Sequence, residues 1–273
     1  MNAVSRRFGG YEVTMLRDGV VQASTDHLVH RKGDEALAAA RERIGAAGFP
    51  LVVNCFLLKG DNCVTLVDAG CGTSWGADFG KARQTLADLG IAPQDVDRVL
   101  VTHLHGDHVP GLWDGKTPYF PRADILVPDR DLGFFTDDAA RSTVPEARRS
   151  GFDLAAHLLE TYGERVRRIK DGPVLDGIEA VALPGHTPGH TGYRIGAGAD
   201  GLLIFADALH LADHQPQDLD LGLVYDLEPD RAAVTRLALL QEAADEGFFV
   251  TGCHVDGYGR VIRDGNAFRF EPL

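Results

Sequence analysis

The chain has 273 residues, 44% of them hydrophobic and 25% charged, which suits one globular domain over residues 1–273 with a full core. Its formal net charge of −13 repels phosphate backbones and argues against broad nucleic-acid binding. No apolar run approaches about 18 residues, so no membrane-spanning helix is expected.

The N-terminal stretch carries Arg6 and Arg7 with no apolar segment behind them, so no secretory signal is expected. Residues 10–16 and 19–24 suggest two short strands around a turn at Arg17-Asp18-Gly19. Residues 34–47 combine helix formers with an acidic start, and Gly48 and Pro50 end them. The segment from 20 to 50 could form a lid over a site or a dimer surface. Residues 51–58 and 63–67 predict buried strands joined by a turn at Gly60-Asp61-Asn62. A helix over 77–89 precedes a strand at 98–102. A strand at 123–127 leads to a helical stretch over about 129–163. Strands near 165–169, 178–183, 191–195 and 202–206 follow. A helix over 229–246 begins at Pro229 and stops at Gly247, and strands at 248–252 and 267–271 close the chain. Strand clusters in both halves, each interleaved with helices, predict a layered α/β protein.

Four of these strands run into residues suited to chemistry. The strand at 98–102 feeds His103-Leu104-His105-Gly106-Asp107-His108. A spacing of two places His103 and His105 on one side of an extended backbone, within reach of one metal. Asp107 and His108 fall where the chain must turn, and can face a second. The strand ending near 183 feeds Pro184-Gly185-His186-Thr187-Pro188-Gly189-His190, a turn that presents His186. His190 is expected to pack behind the site or to orient a ligand. Asp207, after strand 202–206, offers two oxygens that can bridge two cations. His254, after strand 248–252, completes the second metal. Cys55, Cys63, Cys71 and Cys253 contain no C-x-x-C pair and are expected to be free thiols, consistent with a cytoplasmic protein. Cys253, beside His254, is either a small buried hydrophobe or a support for the site. His27, His30, His157 and His214 receive no role.

The order His103-x-His105-x-Asp107-His108, GHTPGH, Asp207, His254 resembles the metallo-β-lactamase superfamily, and Asp68-Ala69-Gly70 is similar to its Asp-Thr-Gly turn. The resemblance implies a four-layer αβ/βα sandwich of two facing mixed sheets with helices outside. It implies two divalent metal ions per chain. His103, His105 and His186 hold the first, Asp107, His108 and His254 the second, and Asp207 bridges them. Zinc is the first expectation, and manganese, cobalt and iron suit the same ligands. The β-lactamases of this superfamily lack a carboxylate at the place of Asp207. The stretches THLHGDHVPGL, ADILVP, GHTPGHTGY and FADALH resemble most the branch of methyl parathion hydrolase and the quorum-quenching lactonases. His210 stands where N-acyl homoserine lactonases carry a tyrosine.

The expected activity is hydrolysis of small-molecule lactones or esters, extending to phosphotriesters, by a hydroxide that bridges the metals. Asp107 is assigned proton transfer and His210 a supporting donor role. A same-fold thioester or β-lactam hydrolase and a non-catalytic metal-binding protein are the alternatives. A homodimer is expected by resemblance alone. Trp113, Phe134 or Phe135, and Leu209 are the candidate pocket walls.

Overall fold

The computed structural model describes residues 4–60 and 63–273. Two seven-stranded sheets form in strict chain order, one from each part of the chain. The first runs Val4–Phe8, Tyr11–Ala23, Phe49–Gly60, Cys63–Val67, Arg98–Leu100, Asp124–Pro128 and Val166–Ile169. Its first four strands are antiparallel and its last four parallel. The second runs Gly172–Leu175, Ile178–Ala182, Thr191–Ile195, Leu202–Ile204, Phe249–Thr251, Gly259–Asp264 and Ala267–Pro272. It is antiparallel except where Leu202–Ile204 pairs with Phe249–Thr251.

The period-two alternation of strand side chains explains the layering. In Phe49–Gly60, Phe56 and Leu58 point between the sheets, where they meet Tyr193, Ile195, Leu202 and Ile204 of the second sheet. Cys55 and Leu57 point the other way, to a core shared with the helices Lys81–Asp88 and Ser150–Tyr162. Leu203 and Val250 face outward from the second sheet onto Leu239, Leu240 and Ala243 of the helix Pro229–Glu246. Helix, sheet, sheet and helix therefore stack as four layers, as the resemblance implies.

Local differences from the sequence reading have physical causes. Residues 11–23 form one strand, and Arg17-Asp18-Gly19 is a bulge in its pairing, not a turn. Asp18 is fully buried and accepts hydrogen bonds from the backbone N–H groups of Cys71, Gly80 and Ala82. The polar residue that signals a turn here is spent on holding a loop. The helical stretch over 129–163 divides into Asp129–Phe135, Asp138–Thr143 and Ser150–Tyr162, with Asp137 capping the second helix and Pro145 following it. The helix expected over 34–47 ends at Ile44, before Gly45. Strands Val4–Phe8, Gly172–Leu175 and Gly259–Asp264 carry no clear alternation in sequence. In the predicted turn after Gly60, Asp61 and Asn62 lie outside the described residues. Among the described residues no helix is long and apolar enough to cross a membrane.

Candidate metal centre

Strands expected over 98–102 and 202–206 leave their sheets early, at Leu100 and Ile204. The chain peels away there and delivers ligand-type side chains at the carboxyl ends of strands. The strands Ile178–Ala182 and Phe249–Thr251 do the same for His186 and His254. Left-handed backbone occurs at Ala206, at one of these exits, with φ 49°, and at Asp68, just after the strand Cys63–Val67, with φ 58°. Such strain persists where surrounding packing over-determines it, and it concentrates at functional sites.

All seven expected ligands come together, and His210 joins them. Ligand atoms of His103, His105 and His186 lie within 4.8 Å of one another, as do those of Asp107, His108, Asp207 and His254. Asp207 Oδ2 lies at the centre. The Nε2 atoms of His254, His108, His186, His210 and His103 stand 3.0, 3.3, 3.3, 3.4 and 3.7 Å from it. Asp107 is 3.4 Å from His108 Nε2 through one oxygen and 3.4 Å from His254 Nε2 through the other. The rings of His210 and His254 stack at 4.9 Å.

A divalent cation fits this set, because the protein holds several ring nitrogens turned away from the centre while three polar atoms turned toward it have no partner. His108 Nδ1 meets Asp68 at 2.8 Å, His186 Nδ1 meets Asp226 at 2.9 Å, and His254 Nδ1 donates to the Val52 carbonyl at 2.7 Å. His103 Nδ1 meets the Thr102 hydroxyl at 3.0 Å. Partners of this kind fix ring orientation and tautomer in metal-binding histidines. Turned inward, His103 Nε2, His108 Nε2 and Asp207 Oδ1 are buried without a hydrogen-bond partner. Orphaned buried polar atoms are costly, and a cation would satisfy all three. His105 Nδ1 faces His186 Nε2 at 2.9 Å, two nitrogens that one ion could share.

The electrostatics divide the set. Burial pushes His103 and His105 well below the usual histidine range, leaving neutral rings with lone pairs to give. Burial also opposes charge on His108 and His254, yet Asp207 and Asp107 hold both above that range. Reciprocally, Asp107 and Asp207 resist burial and stay ionised beside His108 and His254.

His190 is not in the ligand set. Its Nδ1 donates to the Leu183 carbonyl at 2.8 Å, so its Nε2 accepts from the Asp207 backbone N–H at 3.0 Å. It fixes the backbone that carries the central carboxylate. Cys253 is buried with Sγ 3.5 Å from Asp68 Oδ2, behind His108. Burial pushes its thiol well up. Asp131 and Asp226 give no sequence signal of this role. Asp131 is fully buried and accepts from Leu104 N–H, the Thr187 hydroxyl and Gly189 N–H, so it joins the two histidine loops.

The centre opens into a pocket of about 460 Å³. Its apolar wall is Val21, Ala23, Leu51, Trp75, Tyr225 and Leu227. The expected walls lie elsewhere. Trp113 and Phe135 are core residues, Phe134 packs against Phe152, and Leu209 sits under the helix Pro229–Glu246. Trp113 and Leu209 follow candidate ligands closely in sequence, but both side chains are buried in the core. The segment from 20 to 50 contributes Val21, Gln22, Ala23 and His27 to the pocket. His27, which sequence left without a role, meets the Tyr225 hydroxyl at 2.9 Å. The same segment's strand Leu28–His30 pairs with Leu221–Leu223.

The family described as the metallo-beta-lactamase superfamily matches residues 48–254. The chain belongs to this superfamily. Among characterised and uncharacterised relatives, it is 32% identical over 165 residues to the uncharacterized protein YobT of Bacillus subtilis, covering 58% of this chain and 63% of YobT. It is 27% identical over 251 residues to the N-acyl homoserine lactonase AttM of Azorhizobium caulinodans, covering 84% of this chain and 88% of AttM. Among solved structures it is similar to the hydrolase AbOPH, with TM-score 0.88 and 23% identity over 99% of this chain and 97% of that one. It is also similar to AidC, a dizinc quorum-quenching lactonase, with TM-score 0.85 and 21% identity over 99% and 97%. The superfamily domain thus carries a cluster of His and Asp groups that could hold metal ions.

Proposed function

We propose that this chain is a dinuclear metal-dependent hydrolase of lactones or esters, with phosphotriesters as a secondary substrate class. The observation that carries this reading is Asp207 Oδ2, which stands between both ligand clusters at the floor of an apolar-walled pocket. His103, His105 and His186 would hold one cation, Asp107, His108 and His254 the other, and Asp207 both. Bound there, two divalent cations would polarise a carbonyl or phosphoryl oxygen and acidify a water. The protein's own groups do the rest. Asp107 is half-buried on the pocket side and stays ionised, so it can carry a proton to the leaving oxygen. Burial pushes His210 down to about 4, so at neutral pH it is an uncharged imidazole able to donate one hydrogen bond to the substrate. The apolar wall suits an apolar acyl or aryl segment next to the reacting bond. The likeness to AttM supports lactones.

The test combines metal content with a substrate panel of lactones, aryl esters, thioesters, a paraoxon-type triester and nitrocefin. Two metals per chain and turnover of lactones or aryl esters are expected. Asp207→Ala and His254→Ala are each expected to lose the second metal and at least about 100-fold in turnover. Turnover confined to nitrocefin or thioesters, or metal-independent activity, would overturn the reading.

A further inference from the structure

We propose that Arg148 determines substrate specificity by holding a carboxylate that the substrate carries away from the bond being cleaved. This rests on the hydrolase reading above and names its substrate class. Arg148 ends the short turn Glu146–Arg148, between the helices Asp138–Thr143 and Ser150–Tyr162, and lines the metal-site pocket with Ala147 and Ser150. Its Nη2 donates to the Asp226 backbone carbonyl. The Asp226 side chain is used elsewhere, by His186 Nδ1 at 2.9 Å and by Arg236 at 3.8 Å. Arg148 is therefore tied to the residue that orients a metal-site histidine, yet gains no counter-charge from it.

The rest of its guanidinium is unmatched. Arg148 Nε is buried with no acceptor. Among the described residues Arg148 has no carboxylate within ion-pair distance. Acids are not scarce, since the chain has 40 acidic residues to 27 basic ones. Arg83 and Arg194, similarly half-buried, meet Asp114 and Glu242. A partly desolvated cation at a pocket wall, with Nη2 taken by the Asp226 carbonyl and no acceptor at Nη1 among the described residues, is matched by an oxyanion from solution. Arg148 is the one guanidinium among the residues lining this pocket, which it shares with Val21, Ala23 and Leu51. One cation neutralises a monoanion, whereas a phosphate dianion would bury uncompensated charge. The class favoured is thus a lactone or ester with a single carboxylate on its acyl or alcohol arm. That contact would also set direction, with the carboxylate at Arg148 and the scissile carbonyl at the Asp207 end.

The test uses pairs of substrates that differ only in a distal carboxylate or its carboxamide, assayed on metal-loaded enzyme. A charge-assisted fork is expected to give the carboxylate a 10- to 100-fold advantage, on that order, in kcat/KM, expressed mainly in KM. In Arg148→Met the ratio is expected to fall to about one, and in Arg148→Lys to an intermediate value, because charge survives and the fork does not. A purely structural strap would lower both members of a pair together and leave the ratio alone. Calorimetry with non-hydrolysable ether analogues of the same pair gives a readout independent of turnover. If both substrates turn over, or both analogues bind, with no preference in the parent enzyme, the Arg148 assignment is overturned and the hydrolase reading stands. If no ester or lactone turns over, the hydrolase reading fails, and the calorimetric ratio alone decides on Arg148.

Discussion

At the scale of single residues, the centre depends on groups that never face the pocket. Asp131 is the clearest case. Burial pushes it up to about 6, against the three hydrogen bonds that favour its ionised form. In the unfolded chain an aspartate titrates near 3.9, so the folded state binds this proton more tightly. The associated stability is fully present below about pH 4 and is lost as pH rises through about 6. Two units at about 1.4 kcal/mol each bring the effect to about 3 kcal/mol. Asp131→Asn removes the titration. The expected outcome is that metal-free parent protein loses stability relative to Asp131→Asn as pH rises across this window. Urea unfolding at several pH values measures it, and a difference that stays flat would refute the buried-carboxyl account. None of this is visible in the sequence, where Asp131 is one acid among several at the start of a helix. The candidate ligands are legible because four potential donors in six residues, and one at each further strand exit, form a dense pattern. Asp131, Asp226 and the Val52 carbonyl act through distances that only the folded chain defines.

At the scale of elements, the turn that carries His186 makes a close contact with the helix Asp129–Phe135. A Cβ built on Gly189 would lie 2.0 Å from the backbone N of Asp131 and 2.5 Å from its Cα. The turn after Pro188 therefore sits directly on the first residues of the helix Asp129–Phe135, and the Gly189 N–H reaches the Asp131 carboxylate at 3.3 Å. Gly189→Ala has no flexible side chain to displace, so a backbone must move. It is expected to cost at least about 2 kcal/mol and to shift His186 relative to His105. Thermal melting reads the first effect, and zinc affinity by chelator competition reads the second. Unchanged values for both would show that the loops are not packed this closely. The same scale explains what sequence patterning captured. The strand pair 51–58 and 63–67 reads as buried apolar runs and the helix 229–246 is bounded by Pro229 and Gly247, and they appear with ends shifted by a few residues at most. The bulge at Arg17-Asp18-Gly19 reads as a turn in sequence because both use the same residues, and long-range donors from Cys71, Gly80 and Ala82 decide between them.

At the scale of the whole molecule, each sheet comes from one part of the chain, residues 4–169 and 172–272. The candidate ligands are divided between them. His103, His105, Asp107 and His108 follow a strand of the first sheet, whereas His186, Asp207 and His254 follow strands of the second. Any cation held by either cluster therefore cross-links the two sheets at one edge of their common core. Neither sheet presents a complete set alone, so the unfolded chain has no comparable site. Binding energy then adds to folding energy. At a free metal concentration 100 times the dissociation constant, one site stabilises by about 2.7 kcal/mol. In a chain of this size that corresponds to roughly 5–10 °C in melting temperature. Chelation is expected to lower the midpoint by at least that amount, and added zinc or manganese to restore it. Asp207→Ala, which removes the ligand common to both clusters, is expected to flatten the response. A midpoint indifferent to chelator in the parent protein would mean that the two halves are held by apolar packing alone, with no ion between them.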